Sequence, residues 1–318
     1  MDTLSVIVAE IREAARGILV LRLAPANAVL LPAFEPGAHV DLYLPNGVTR
    51  QYSLINESRA DGALFYEVAV GLSATSEGGS RYIHDSLRVA DALRIGRPRN
   101  NFPLVATEQP VWFIAGGIGV TPIRAMLRQC EQEGRDWRLV YAARSHAHAA
   151  FADELAAYGE RVQFHFDDEH QGKPLDVAAV LGRAPDAAHI YCCGPAPLMT
   201  RVRELCAGRK PEQVHFEWFR APAGADPATG RAFLVTLARQ DMSFNVPVDR
   251  TILDVLEENG VIVPSVCKDG ICGTCECAVL EGDVEHRDQV LTQVERDSGK
   301  SLMVCVSRAR GASLVLDL

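Results

Sequence analysis

Three changes of pattern along 318 residues predict a multidomain chain: an antiparallel β-barrel, a doubly wound α/β domain and a small α+β domain. Short strand-like runs fill the first third, and strand and helix patterns then alternate. The last 87 residues combine a hairpin, one helix and a cysteine-rich loop. This length suits two or three domains.

Residues 1–103 contain six short alternating or apolar runs: "LSVIVAEI", "ILVLRLA", "AHVDLYL", "RQYSLIN", "LFYEVAV" and "ALRIGRP". Turn signals such as Pro36-Gly37, Asn46-Gly47 and Asp61-Gly62 separate them, as in a small antiparallel barrel. From Leu104 the period changes. "PVWFIAGGIG", "DWRLVYAAR", "RVQFHFDD", "HIYCCGP" and "QVHFEWF" read as strands; "TPIRAMLRQCEQEG", "AAFADELAAYG", "LDVAAVLG" and "APLMTRVRELCAG" between them read as helices. That alternation predicts an open parallel sheet over 104–220. Residues 221–231, rich in Ala, Pro and Gly, read as a linker. In 232–318, "AFLVTLARQ" and "MSFNVPV" form a hairpin pattern, and "TILDVLEENG" is a helix capped by Thr251 and stopped by Gly260.

Composition narrows the function. A chain that is 48% hydrophobic and 23% charged is an ordinary globular one, and a net charge of −9 argues against general nucleic-acid binding. The start, with Asp2, Glu10 and Glu13, lacks the basic and apolar blocks of a signal peptide. The most apolar stretch, "VWFIAGGIGVTPI", is 13 residues and too short to span a bilayer, so a cytoplasmic protein is expected. Nine cysteines are too sparse for a secreted disulfide scaffold. The acidic excess concentrates after Ala232, where 14 Asp and Glu face 8 Lys and Arg. It is either a docking surface or an ordinary solvated face.

The segment "CKDGICGTCECAVLEG" carries the chemistry. Cys267, Cys272 and Cys275 have the C-x4-C-x2-C spacing of a plant-type [2Fe–2S] site, and Cys305 in "LMVCVSR" supplies the remote fourth thiolate. Gly270 and Gly273 let the backbone fold closely round inorganic sulfur, with amides free to donate. Zinc is the competing reading, but structural zinc usually takes two short ligand pairs, and three close cysteines with one distant one fit that poorly. Cys277 is either a competing ligand or a buried apolar thiol; Cys130, Cys192 and Cys206 read as core.

Two segments read as nucleotide-binding. "AGGIGVTPI" ends a strand and opens a helix, so Gly116, Gly117 and Gly119 admit a pyrophosphate and Thr121 and Pro122 begin the helix. It is not the G-x-G-x-x-G fingerprint, and a plain tight turn is the alternative. Cys193, Gly194 and Pro195, at the carboxyl end of a later strand, would lie near the nicotinamide. In the first domain "RQYSL" sets Arg50, Tyr52 and Leu54 on one side of a strand and Gln51 and Ser53 on the other. "SEGGSRYIHDSL" joins a Gly-Gly-Ser turn to a helix start, an anion nest.

Taken together, "RQYSL", "GGS" with "RPRNNFPL", "GGIGVTPI" with "YCCGP", and "CKDGICGTC…C" closely resemble the phthalate dioxygenase reductase family, which includes vanillate O-demethylase-type reductases. The resemblance spans the whole chain and its domain order: flavin barrel, pyridine-nucleotide domain, plant-type ferredoxin. It implies FMN lined by Arg50, Tyr52, Ser53 and Leu54, bordered by Val68 and Val70, with its phosphate at Gly78, Gly79 and Ser80. Glu217 and Phe219 would approach flavin and nicotinamide. NADH is expected over NADPH, since Asp153 and Glu154 accompany Arg144 after the second strand; Arg144 keeps NADPH open.

Electron counting then orders the cofactors. NADH yields a hydride, a [2Fe–2S] cluster accepts single electrons, and a flavin must stand between them. No general acid–base dyad or nucleophile is needed. His39, His84, His165 and His215 show no metal spacing. The implied partner is a separate Rieske non-haem iron oxygenase, docked transiently by a monomeric reductase in hydroxylating or demethylating an aromatic compound. Service to a different monooxygenase is the nearest alternative. A simple electron carrier and a redox-sensing interaction protein are the more distant ones.

Overall fold

The computed structural model describes residues 3–27, 29–73, 78–221 and 230–318, and the chain divides into two compact units, Met1–Phe216 and Glu217–Leu318. Among the described residues no helix is long and apolar enough to cross a membrane. Residues 222–229 of the expected linker lie outside the described residues.

The first unit opens with β1 (Thr3–Ala15), β2 (Ile18–Pro25), β3 (His39–Tyr43), β4 (Thr49–Ser53), β5 (Tyr66–Gly71), α1 (Gly79–Asp85) and β6 (Ala92–Gly96). All six expected strands form, in the order β4-β3-β6-β1-β2-β5, with antiparallel ladders. The two edges meet just beyond β4. Leu54 bridges Val68, and the Ile55 amide donates to the Glu67 carbonyl at 2.9 Å, which closes the barrel. Closure removes the exposed edges that an open sheet would present.

β2 and β5 are apolar on both faces for a structural reason. Leu21, Leu23, Val68 and Val70 fill the barrel with Val6, Val8, Val40 and Leu42. Their neighbours Ile18, Val20 and Ala69 face outward, into a second core shared with the α/β layer. The barrel and that layer therefore pack as one compact unit.

The α/β layer comprises β7 (Val111–Gly116), α2 (Val120–Gln132), β8 (Trp137–Ala143), α3 (Ala152–Ala156), β9 (Val162–Phe166), α4 (Val177–Leu181), β10 (His189–Cys193), α5 (Ala196–Leu205) and β11 (Val214–Glu217). The sheet order is β11-β10-β7-β8-β9, with parallel ladders from β10 through β9. Every expected strand and helix is present, but α3 is one turn rather than three. Phe151 takes a left-handed φ of 63°, which starts the helix late.

The second unit holds β12 (Phe233–Leu237), β13 (Met242–Val246), α6 (Ile252–Glu258), β14 (Glu276–Glu281), β15 (Val284–Glu285), α7 (Gln293–Ser298), β16 (Ser301–Met303), β17 (Arg308–Ala309) and β18 (Ser313–Leu316). Its five-stranded sheet runs β13-β12-β18-β14-β16, with β12 parallel to β18. Thr251 caps α6 as expected: its hydroxyl accepts the Asp254 amide while the Asp254 carboxylate accepts the Thr251 amide, both at 3.0 Å. α6 packs Ile252, Leu253, Val255 and Leu256 into a core with Val235, Leu302 and Leu314.

Candidate functional site

The four expected thiols come together. Cys272, Cys275 and Cys305 are each 2% exposed, and Cys267 is partly exposed. Cys267 stands within hydrogen-bonding reach of Cys272 and Cys305, and Cys305 also within reach of Cys275. Those contacts, with the Asp269 and Ile271 amides, outweigh burial and pull the Cys267 thiol down to about 2. Its neighbours Cys272 and Cys305 are pushed up, first by that contact and then by burial. Among the described residues no three His, Cys, Asp or Glu side chains converge on a mononuclear site. The four thiols instead form one chain of contacts, Cys272 to Cys267 to Cys305 to Cys275, and four cysteines gathered in one place are what a [2Fe–2S] group takes, two thiolates to each iron.

The loop geometry fits that group. The Asp269 amide donates to Cys267 Sγ at 3.3 Å. Gly270, at φ 68°, would place a Cβ 2.6 Å from Val306, next to Cys305, so only glycine permits this approach. The Gln289 amide holds the Gly270 carbonyl at 2.8 Å. Cys277 stands apart: on β14 it pairs with Leu302, lies in the apolar core, and burial lifts its thiol to about 12. Cys130, Cys192 and Cys206 are buried as expected.

The two nucleotide segments meet at the point where strand order reverses. From β7 the chain winds outward through β8 and β9, then returns to β10 on the other side, with Cys193 opposite Ala115. A Cβ on Gly194 would lie 3.0 Å from the Gly116 Cα, and one on Gly116 would lie 2.6 Å from Pro195. Gly117, at φ 53°, faces open space. Thr121 donates its hydroxyl to the Ile118 carbonyl at 2.9 Å, and Thr121 and Pro122 are buried in the first turn of α2. A crevice at such a reversal is where open α/β sheets hold dinucleotides. Cys193 itself is fully buried, and its carbonyl packs against Gly119.

In the barrel, Arg50 lies across the start of α1: a Cβ on Gly79 would stand 2.6 Å from its Cγ. Gly78 takes φ 94°, Asn46 donates to its carbonyl at 3.2 Å, and Ser80 Oγ accepts the Ser73 amide at 3.2 Å. Glu77 and Ser76, in the same turn, lie outside the described residues. Tyr52 is half-buried, and burial lifts its phenol to about 12. Ser53 closes β4 on the opposite face, across from His39. Leu54, Val68 and Val70 differ from expectation. All three residues are fully buried, with their side chains in the barrel core.

Arg144 is exposed just past the carboxyl end of β8, and its carbonyl accepts the Asp168 amide at 3.1 Å. Asp167, Asp168 and Glu169 thus form an acidic turn beside it, a feature that "FDDEH" after the third strand could have signalled. Glu217 ends β11 and opens the second unit, and Phe219 is 39% exposed, which fits a surface role but names no ligand. Arg124, Arg308 and Asp41, which is paired with the half-buried Arg99, carry no sequence signature, yet each is a buried charged anchor.

Comparison with known proteins agrees with this geometry. Residues 235–310 match the 2Fe-2S iron-sulfur cluster binding domain, and residues 113–204 match the oxidoreductase NAD-binding domain. The phenoxybenzoate dioxygenase subunit beta of Ectopseudomonas oleovorans is 44% identical over 93% of this chain and 91% of its own. The solved structure of phthalate dioxygenase reductase, described as modular for electron transfer from pyridine nucleotides to [2Fe-2S], has a TM-score of 0.70 and 38% identity over 99% of this chain and 98% of its own. A type IV self-sufficient cytochrome P450 monooxygenase reaches a TM-score of 0.91 at 36% identity over 99% of this chain. This chain spans only 41% of that longer protein.

Proposed function

Because this chain belongs to the phthalate dioxygenase reductase family, an NADH-dependent group of iron–sulfur flavoproteins, we propose that it supplies electrons to a separate Rieske-type oxygenase acting on an aromatic compound. The observation carrying this reading is that one chain holds both a glycine-lined nucleotide crevice and four thiols gathered side by side. Bound at these residues, a flavin would supply a carrier able to take two electrons as a hydride from NADH and to release them singly, and a cluster held by Cys267, Cys272, Cys275 and Cys305 would supply the one-electron acceptor.

The chain's own residues bind and orient. Gly116, Gly117 and Gly119 admit the pyrophosphate to the start of α2, and Gly194 and Pro195 border the nicotinamide. Arg50, with Gly78, Gly79 and Ser80, holds the FMN phosphate, while Tyr52 and Ser53 flank the ring. The acidic turn at Asp167–Glu169 favours a ribose 2′-hydroxyl over a 2′-phosphate, which supports NADH despite Arg144. Cys267, Cys272, Cys275 and Cys305 hold the cluster. The domain limits that go with this reading are 1–103, 104–220, 221–231 and 232–318, with the protein a cytoplasmic monomer.

The oxygenase is met transiently through the acidic cluster domain, where 14 Asp and Glu oppose 8 Lys and Arg. The test has two parts. Purified protein should show flavin bands over a broad iron–sulfur absorption, bleached anaerobically by NADH; a colourless zinc protein would sink the reading. Coupled turnover with candidate oxygenases then identifies the partner, and its reduction rate should fall as salt rises. A rate indifferent to salt would remove the charge-docking element alone.

A further inference from the structure

The core between the barrel and the α/β layer contains one buried guanidinium. Arg124, on α2 one turn past Val120, is 5% exposed. It donates to the Ile55 carbonyl at 2.6 Å and to Glu154 Oε2 at 2.8 and 3.2 Å. Its guanidinium also lies 4.6 Å from the Phe151 ring centre. Arg128, one turn further on, donates to Glu154 Oε1 at 2.9 Å and stands 3.8 Å from Glu57. Glu154 is therefore held by two arginines, which keep its carboxyl below the usual range although burial acts the other way.

The two ends of this anchor are the informative part. Ile55 lies two residues beyond Ser53, on the segment that carries Arg50 and Tyr52 and closes the barrel against Glu67. α2 begins directly at the Gly117–Gly119 turn of the nucleotide crevice. Apart from the Arg128–Glu57 pair and the Arg16 amide, which donates to the Ala147 carbonyl at 2.8 Å at the far end of the contact, what surrounds Arg124 is apolar: Ile18, Val20, Ile55 and Ala69 share a core with Ile123, Met126 and Leu127. Apolar burial is non-directional, so it holds the two layers together without setting where one sits along the other. A planar guanidinium with fixed donors does set that register.

We propose that Arg124 is a positioning residue for hydride transfer. It locks the flavin-bearing strand to the nucleotide-bearing helix, so that donor and acceptor rings meet at reacting distance. This rests on the reading of the barrel as the flavin site and of the crevice as the NADH site. Reacting atoms must approach to about 3–3.5 Å, and a misplacement of about 1 Å can cost on the order of 100-fold. A register anchor at this interface therefore acts on the rate rather than on affinity.

The test uses the intact protein carrying R124M, which keeps the bulk and removes the fork, and R124K, which keeps one charge. Stopped-flow bleaching by NADH at saturating concentration should slow by about 10- to 100-fold in R124M, with FMN content and the Kd for NADH changed less than about threefold. The long-wavelength charge-transfer absorbance formed on mixing with NADH should weaken, and the primary deuterium isotope effect should become more temperature-dependent. In the protein as isolated, amide hydrogen exchange around Ile55 and the first turns of α2 should quicken. R124K should recover part of each. An R124M protein that melts earlier but is bleached at the wild-type rate, with the same charge-transfer band, overturns the proposal. Should R124M not fold, a wild-type bleaching rate in R124K overturns it equally. If wild-type protein itself is not bleached by NADH, the oxidoreductase reading fails instead.

Discussion

Gly119 lies so near Cys193 that a Cβ added to it would stand 2.3 Å from the Cys193 carbonyl oxygen and 2.7 Å from the Gly194 amide nitrogen. Both obstacles are main chain at the end of β10, so no side-chain rotation relieves the clash. The helix start and the neighbouring strand end define the crevice by touching each other.

Gly119→Ala must therefore push β10 and α2 apart. Overpacking of this kind costs typically about 1–3 kcal/mol, and here the displacement falls on the crevice itself. The expected result is a rise of at least about tenfold in the NADH concentration needed for half-maximal bleaching, about 1.4 kcal/mol of binding. Gly117→Ala is the control. Its φ of 53° adds strain of about 1–2 kcal/mol, but nothing lies within 4 Å of the new methyl group. Equal NADH titrations for the two variants would refute the distinction.

The cysteines divide by geometry. Cys305→Ser removes the remote thiol that bonds both Cys267 and Cys275. Iron and acid-labile sulfide should fall, while flavin bands and their bleaching by NADH persist and electron delivery to cytochrome c collapses. Cys277→Ser should retain its full iron content and lose only about 1–3 kcal/mol of stability, from a hydroxyl buried in the apolar core. Loss of the cluster in Cys277→Ser would show that the fifth thiol belongs to the site.

Local features were the legible ones. The six barrel strands follow from alternation between turn signals, and α6 follows from Thr251 and Gly260, because strand period and helix caps are encoded within a few residues. The cluster ligands were legible because C-x4-C-x2-C is a local spacing. Side-chain direction near the barrel seam was not. Leu54 shares a strand face with Tyr52, but the bridge to Val68 that closes the barrel commits it, with Val68 and Val70, to the core. Arg124 escaped notice for a related reason: its partner is a main-chain carbonyl 69 residues away, and a carbonyl leaves no signature in the sequence.

His39 links the barrel's stability to pH. Burial, then the neighbouring Arg99, lower its imidazole to about 4 against an ordinary 6.5, although Asp41 acts the other way. The folded protein thus keeps His39 neutral where the unfolded chain would protonate it. Between these values the unfolded state binds more protons, so stability is present above pH 6.5 and is lost as pH falls toward 4. The loss attributable to His39 is about 2 kcal/mol by pH 5. His39→Gln should flatten the dependence of the denaturation midpoint between pH 7 and 5, leaving a smaller slope from His215, which burial also lowers to about 4. An unchanged slope in His39→Gln would count against a neutral buried imidazole.

Arg308 anchors the second unit by a different device. It is 1% exposed, and it donates to three main-chain carbonyls: Arg250 at 2.6 Å, Pro247 at 2.8 Å and Arg231 at 2.9 Å. Its guanidinium lies 5.0 Å from the Phe233 ring centre. These carbonyls flank β12, the end of β13 and the cap of α6, so one side chain fastens three segments that share no ladder at those points. Arg308→Met fills similar space but leaves the carbonyls without a donor, and a buried unpaired polar group costs about 1–3 kcal/mol. With partial relaxation the expected loss is roughly 3 kcal/mol, read as a lower temperature for thermal bleaching of the iron–sulfur absorption. Arg308→Lys should fall between, since an ammonium cannot span three acceptors set by a planar fork. NADH bleaching of the flavin should be unchanged in both, because the anchor lies within the second unit. A thermal shift in Arg308→Met no larger than that of an exposed arginine substitution, such as Arg239→Met, would deny Arg308 this role.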